Sequence, residues 1–194
     1  MFVAITPYKL LNQLDIEHYK AILEYYDHLI IRTPMTTPQL IDWITRAIEH
    51  GISKDKLTVH SNVDVFIACA MTSIHFSEYH SALKNFKTQH PQAIVSMSTH
   101  SEESVIYAQQ QHCEYVLFGH VFRTSSKPNQ EPRSQREIRQ VLNKEIKVIA
   151  LGGVNRRTLS QLPTGFAGVA GISLFYDSDN QTLRKFTEEW SNYV

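Results

Sequence analysis

The sequence predicts one (β/α)8 barrel spanning residues 1–194. Eight short apolar runs alternate with longer amphipathic segments, and most runs are apolar at successive positions, as parallel strands buried on both faces must be. No linker, low-complexity tract or change of composition divides the chain. Eight strand signals separated by helix signals fit a closed barrel better than an open doubly wound sheet, although alternation alone does not close a sheet. At 194 residues the chain is shorter than the roughly 250 typical of such barrels, so its loops and helices must be lean.

The first two runs are Phe2–Ile5 and His28–Ile31. A helix follows, with Thr37 as the expected N-cap and Pro38 at the first helical position. Its stripe is Leu40, Ile41, Ile44, Ala47 and Ile48, and Gly51 stops it. Leu57–His60 and Ser73–Phe76 are the third and fourth strands, and the fifth covers 93–96. Ser101 opens another helix with Glu102 and Glu103 in its first turn, where the helix dipole favours acids. His112 and Cys113 read as the end of that helix, leading into strand six at 115–118. Residues 119–132 form the longest loop, and in a barrel a loop after a strand lies on the catalytic face. A helix over 134–142, a seventh strand over 148–151, a weak eighth over 168–170 and a helix over 182–190 complete the pattern.

Composition narrows the partners. Apolar residues make up 42%, enough for a sizeable core, and 19 basic residues balance 19 acidic ones. Neutrality predicts neither a nucleic-acid nor a membrane-surface partner, while leaving room for a locally basic pocket that takes a small anion. Cys69 and Cys113 read as reduced, mostly buried thiols. Residues 1–7 read as the opening strand rather than a signal peptide, and no apolar stretch nears the roughly 20 residues of a membrane span. A cytoplasmic protein is expected, and an exposed helix face leaves room for a homodimer.

Gly152 and Gly153 directly follow strand seven, and Ser173 follows strand eight. Loops at these places often bind phosphate through backbone N–H groups, and glycine lets the backbone approach the anion closely. His120 lies just past strand six, and an imidazole there can give and take protons near neutrality. Arg32 ends strand two and Lys127 lies in the long loop, so both are candidates for holding a carboxylate or phosphate. His75 and His80 have no supporting acidic cluster, so no metal site is predicted, nor any cofactor. The sequence carries no P-loop, dinucleotide fingerprint or nucleophile-elbow serine.

The block from Tyr115 through Gly119-His120-Val121-Phe122, followed by Thr124-Ser125-Ser126-Lys127, resembles the strand-six signature of the thiazole tautomerase (TenI) family within the thiamin-phosphate-synthase-like enzymes. Ile30-Ile31-Arg32, Val63-Asp64, Ser98-Thr99-His100-Ser101 with Glu102-Glu103, the strand-seven segment ending in Gly152-Gly153, and Gly165, Gly168-Val169-Ala170 and Ser173 match in register along nearly the whole chain. The resemblance implies His120 as the catalytic residue. It implies phosphate binding at Gly152, Gly153, Ile172 and Ser173, and substrate contacts from Arg32, Ser98, Thr124, Ser126 and Lys127.

Departures separate the branches. The synthases carry Asn-Asp where His60-Ser61 stand here, an Asp that helps hold Mg²⁺ where His80 stands, and a Lys where Pro34 stands. A pyrophosphate substrate with Mg²⁺ needs that charge. Thr33-Pro34 also replaces the polar residues of many tautomerases. The implied function is an isomerase that aromatises the ylidene tautomer of a carboxythiazole phosphate. The alternatives are thiamin phosphate synthase, a transferase, and a non-catalytic regulatory binder of thiazole or thiamin phosphates.

Overall fold

The computed structural model describes residues 1–124 and 128–193. Eight parallel strands close into a barrel in sequence order: β1 (Phe2–Ile5), β2 (His28–Ile31), β3 (Leu57–His60), β4 (Ser73–Phe76), β5 (Ile94–Thr99), β6 (Tyr115–Gly119), β7 (Lys147–Leu151) and β8 (Gly168–Gly171). Closure is made where β1 pairs with β8, Val3 opposite Ala170, which excludes the open sheet. The helices are α1 (Gln13–Ala21), α2 (Thr37–Glu49), α3 (Val63–Ala68), α4 (Phe86–Gln89), α5 (Glu102–Gln110), α6 (Gln135–Leu142), α7 (Ser173–Tyr176) and α8 (Asn180–Tyr193). The short chain is accommodated where the outer ring is thinnest. After β4 it holds a single 3-10 turn and the four-residue α4, and after β7 only a 3-10 turn at Leu159–Gln161. No helix among the described residues is long and apolar enough to cross a membrane.

The strands need apolar residues on both faces because each lies between barrel interior and helix layer. Val3, Ile5, Ile30, Tyr115, Leu117, Ile149 and Ala170 form the interior cluster. The alternate positions, such as Ala4, Leu29, Ile31, Val59, Phe76, Val116 and Phe118, pack beneath the helices with Trp43, Tyr19 and Phe186. In α2, Leu40, Ile44 and Ala47 of the expected stripe are buried together with Trp43, while Ile41 and Ile48 are only half-buried. Each large side chain sealed this way contributes about 1.5–3 kcal/mol. Gly51 ends α2 at φ +95°, a left-handed conformation that suits glycine.

Two local expectations are corrected. The N-cap of α2 is Thr36, not Thr37, because the Gln39 side chain reaches back to accept the Thr36 N–H at 2.9 Å. β5 starts one residue later than predicted and runs on to Thr99. Its extension, Met97-Ser98-Thr99, is rich in small polar residues that pair with β6, so no apolar run marks it.

Candidate active site

The C-terminal ends of the strands surround a cavity of about 280 Å³. Arg32, Ser98, His120, Thr124, Gly152, Gly153, Ile172 and Ser173 all line it. The fold thus brings together eight of the ten residues expected from sequence, and the other two, Ser126 and Lys127, lie outside the described residues. Three histidines of the lining went unassigned in the sequence: His60, His75 and His100. His60 ends β3, His75 lies within β4 and His100 follows β5, places where a lone histidine reads as packing, and only closure of the barrel turns them toward one space.

His120 is positioned by the register of β6 against β7. Val121 N–H donates to Leu151 O at 2.8 Å, Phe122 N–H to Gly152 O at 3.0 Å and Arg133 N–H to His120 O at 3.0 Å. The ring is 2% exposed, and its Nε2 lies 3.0 Å from the Gln130 carbonyl. A carbonyl can only accept, so the neutral ring carries its proton on Nε2 and keeps a lone pair on Nδ1. Nδ1 is buried and has no hydrogen-bond partner.

Gly152 and Gly153 have φ of +94° and +70° and turn tightly against this segment. A Cβ on Gly152 would stand 2.4 Å from the His120 Cβ, and one on Gly153 2.5 Å from Arg123 O. Glycine is therefore required for the two loops to touch, besides keeping the cradle bare of side chains. Ser173 begins α7 at the cavity edge, and His18 Nε2 lies 3.0 Å from Phe175 O, tying α7 to α1. Across the mouth, Arg32 is exposed at the rim with its guanidinium 4.7 Å from the centre of the Tyr8 ring.

The third wall is imidazole. His60 and His75 lie with ring centres 5.7 Å apart. Burial, helped by Arg32 and His80, pulls His60 down to about 4, and burial with His60 nearby pulls His75 well below the ordinary range. Both therefore stay neutral in the folded protein at pH 7. In the unfolded chain they take up protons near pH 6.5. Between about pH 6.5 and 4 the unfolded state then binds more protons, so stability falls as pH falls through that window. We expect His60 alone to account for about 3 kcal/mol, read as a steeper loss of urea stability between pH 7 and 4.5 than His60→Gln shows. Equal slopes in the two proteins would refute this.

The acids stand back from the cavity. Glu78 accepts the His100 backbone N–H at 2.8 Å and pairs with its Nδ1 at 3.0 Å. Burial pushes the Glu78 carboxyl up, but bonds from Ser104 and His100 outweigh this and hold it below the usual range. No carboxylate is among the described residues that line the cavity. His80, in place of the synthases' metal-binding Asp, accepts Ala82 N–H at 3.2 Å. Mg²⁺ prefers octahedral oxygen donors, commonly carboxylates, and the imidazoles and guanidinium found here do not fit it. Among the described residues no cluster of three or more His, Cys, Asp or Glu is arranged to hold a metal.

Fold and site together define a class: a small (β/α)8 barrel with a glycine cradle suited to an anion and a histidine seated beside it. The family pattern described as thiamine monophosphate synthase (TMP-TENI) matches residues 2–175, and the chain belongs to that family, whose members are enzymes of thiamin biosynthesis. It is similar to the thiamine-phosphate synthase of Persephonella marina, 32% identical over 103 residues that cover 52% of this chain and 48% of that protein. It is also similar to the thiamine-phosphate synthase of Pyrococcus furiosus, 28% identical over 138 residues covering 70% and 66% of the two chains. The matched stretch thus spans about half to two thirds of these relatives. The solved thiamine phosphate pyrophosphorylase of Pyrococcus furiosus has the same fold, with a TM-score of 0.78 and 22% identity over 99% of this chain and 94% of that one. These names are those of synthases, the transferase alternative, and none of the three is named a tautomerase.

Proposed function

We propose that this protein is a thiazole tautomerase, an isomerase that converts the ylidene tautomer of a carboxythiazole phosphate into its aromatic form. The observation that carries this reading is the cavity wall: a buried His120 with an unpartnered Nδ1 beside a glycine cradle, and no carboxylate among the described lining residues. The ligand phosphate lies against Gly152, Gly153, Ile172 and Ser173. The His120 lone pair takes a proton from the ring carbon, and the same imidazolium returns one to the exocyclic carbon. Protons and electrons balance without a co-reactant, and aromatisation drives the step. One histidine serves both carbons when the phosphate anchor fixes the ring within hydrogen-bonding reach. Arg32 at the rim and Thr124 hold the substrate carboxylate, and Ser126 and Lys127, which lie outside the described residues, are further candidates for that contact.

A second reading is favoured by the names of the relatives: transfer of a pyrimidine from its pyrophosphate to the thiazole phosphate, dependent on Mg²⁺. The two are separated by mixing purified protein with the ylidene carboxythiazole phosphate and following ultraviolet absorbance against the uncatalysed rate, and by a parallel synthase assay. Acceleration in the first assay with none in the second supports the tautomerase. Thiamin phosphate formed in the second establishes the synthase. Ligand binding with no turnover in either would leave a regulatory binder.

A further inference from the structure

α7 is a single turn whose first residue, Ser173, lines the cavity with Ile172 beside Gly152 and Gly153. One isolated turn does not hold its own shape, because it gains too few hydrogen bonds for the residues it fixes. Its neighbours must therefore set its orientation. Burial of Leu174 and Phe175 holds the turn down, but apolar contact is not directional. The directional ties lie at its far end. There His18 Nε2–H donates to the Phe175 carbonyl at 3.0 Å, and the Tyr176 hydroxyl meets an ion pair.

That pair is Asp15, 1% exposed, with Lys9 at 2.8 Å. Lys9 Nζ also donates to the Tyr176 hydroxyl at 2.6 Å, and that hydroxyl donates to Asp15 Oδ1 at 3.0 Å. Chemistry fixes every role. An ammonium only donates and a carboxylate only accepts, so the hydroxyl between them takes from one and gives to the other. Both charged residues are anchored in turn. The second Asp15 oxygen accepts the Asn12 N–H at 2.8 Å, and the Lys9 carbonyl accepts the Thr33 hydroxyl at 2.7 Å. None of Lys9, Asp15 and Tyr176 lines the cavity, so the three reach a ligand there only through α7.

We propose that the Lys9–Asp15 pair, by gripping the Tyr176 hydroxyl, fixes the orientation of α7 and with it the phosphate-binding backbone at Ile172 and Ser173. Tyr176 is thus a positioning residue that acts from the opposite end of the turn. Its role rests on the reading of Gly152, Gly153, Ile172 and Ser173 as the phosphate site, and it is independent of which reaction follows.

The test is a titration of the whole protein with inorganic phosphate, read from the backbone amide NMR shifts of Gly152, Gly153 and Ser173. Tyr176→Phe removes only the hydroxyl and leaves Asp15 with Lys9 and Asn12, so the fold should hold. Phosphate affinity should fall about 3- to 10-fold, and the Ser173 amide should shift even without phosphate. Tyr26→Phe is the control. It removes a buried hydroxyl that donates to the Tyr19 carbonyl of α1 at 3.1 Å, and it should cost stability without changing phosphate affinity. Lys9→Met should weaken phosphate binding as Tyr176→Phe does, and in the double variant the two losses should not multiply, because both break one cluster. Unchanged affinity in Tyr176→Phe, an equal loss in Tyr26→Phe, or losses that multiply would overturn the positioning role and leave the phosphate site standing. No phosphate-dependent shift of these amides in the unaltered protein overturns the phosphate site, and the positioning role with it.

Discussion

His120→Asn is expected to lower the turnover of the ylidene carboxythiazole phosphate by about 10²- to 10⁴-fold, the usual worth of a positioned acid–base group. The phosphate cradle and Arg32 do not depend on the imidazole for their own conformations, so KM should change by no more than a few-fold. The fall should therefore appear in kcat, as expected when the lost interaction acts in the transition state. Stability should change little, because the substitution removes a buried nitrogen that has no partner along with one bond to the Gln130 carbonyl. Steady-state kinetics with calorimetric binding of the aromatic product separates these effects. Full activity in a variant that still binds would remove His120 from the chemistry.

The physical reason each part of the molecule was or was not legible in the sequence is visible in particular residues. β1 and β2 read correctly because a strand covered on both faces must be apolar at nearly every position, and Phe2–Ile5 or His28–Ile31 can be little else. α2 was marked by Pro38, an apolar stripe and Gly51, and α5 by Ser101 with Glu102 and Glu103 in its first turn. α1 carries a capping box, Asn12 with Asp15, but its buried face is Asp15, Ile16 and Tyr19. A helix whose inner stripe contains a carboxylate shows no apolar periodicity. Asp15 is sustained there by Lys9 at 2.8 Å and by the Tyr176 hydroxyl at 3.0 Å, the latter a contact that crosses almost the whole sequence.

The site divides in the same way. His120, Gly152 and Gly153 stand immediately after strands, so position alone nominated them. His60, His75 and His100 are also at or near strand ends, yet nothing in their local sequence separates a cavity-facing histidine from a packed one. His75 acquires its meaning from Ser96 and Ser98, more than twenty residues away, through the pairing of β4 with β5. The polar wall also explains why the eight-strand reading and the branch assignment differ in strength. The barrel follows from many redundant apolar positions, whereas the choice between tautomerase and synthase turns on a few, His60 and His80 above all.

Gly152→Ala should be the most damaging single-methyl change at the site. Two costs combine. A non-glycine residue held at φ +94° is strained by about 1–3 kcal/mol, and the added Cβ falls 2.4 Å from the His120 Cβ and 2.9 Å from its Cα. The far side cannot yield cheaply, since the His120 segment is bonded to β7 through Val121 and Phe122. Either the cradle opens or His120 moves, so the variant should lose phosphate affinity and turnover together, with a stability loss of about 2–4 kcal/mol. Gly51→Ala separates the two costs, because Gly51 has nearly the same φ, +95°, while its nearest neighbour to an added Cβ is the flexible Lys20 Nζ at 3.7 Å. That control should lose only the strain and keep full activity. Chemical denaturation and kinetics of the pair then give the steric contribution by difference. If Gly152→Ala behaves like Gly51→Ala, contact between the cradle and His120 is not what sets the geometry of the site. A larger loss in both affinity and kcat means that one close approach of backbone to backbone positions the anion and the base together.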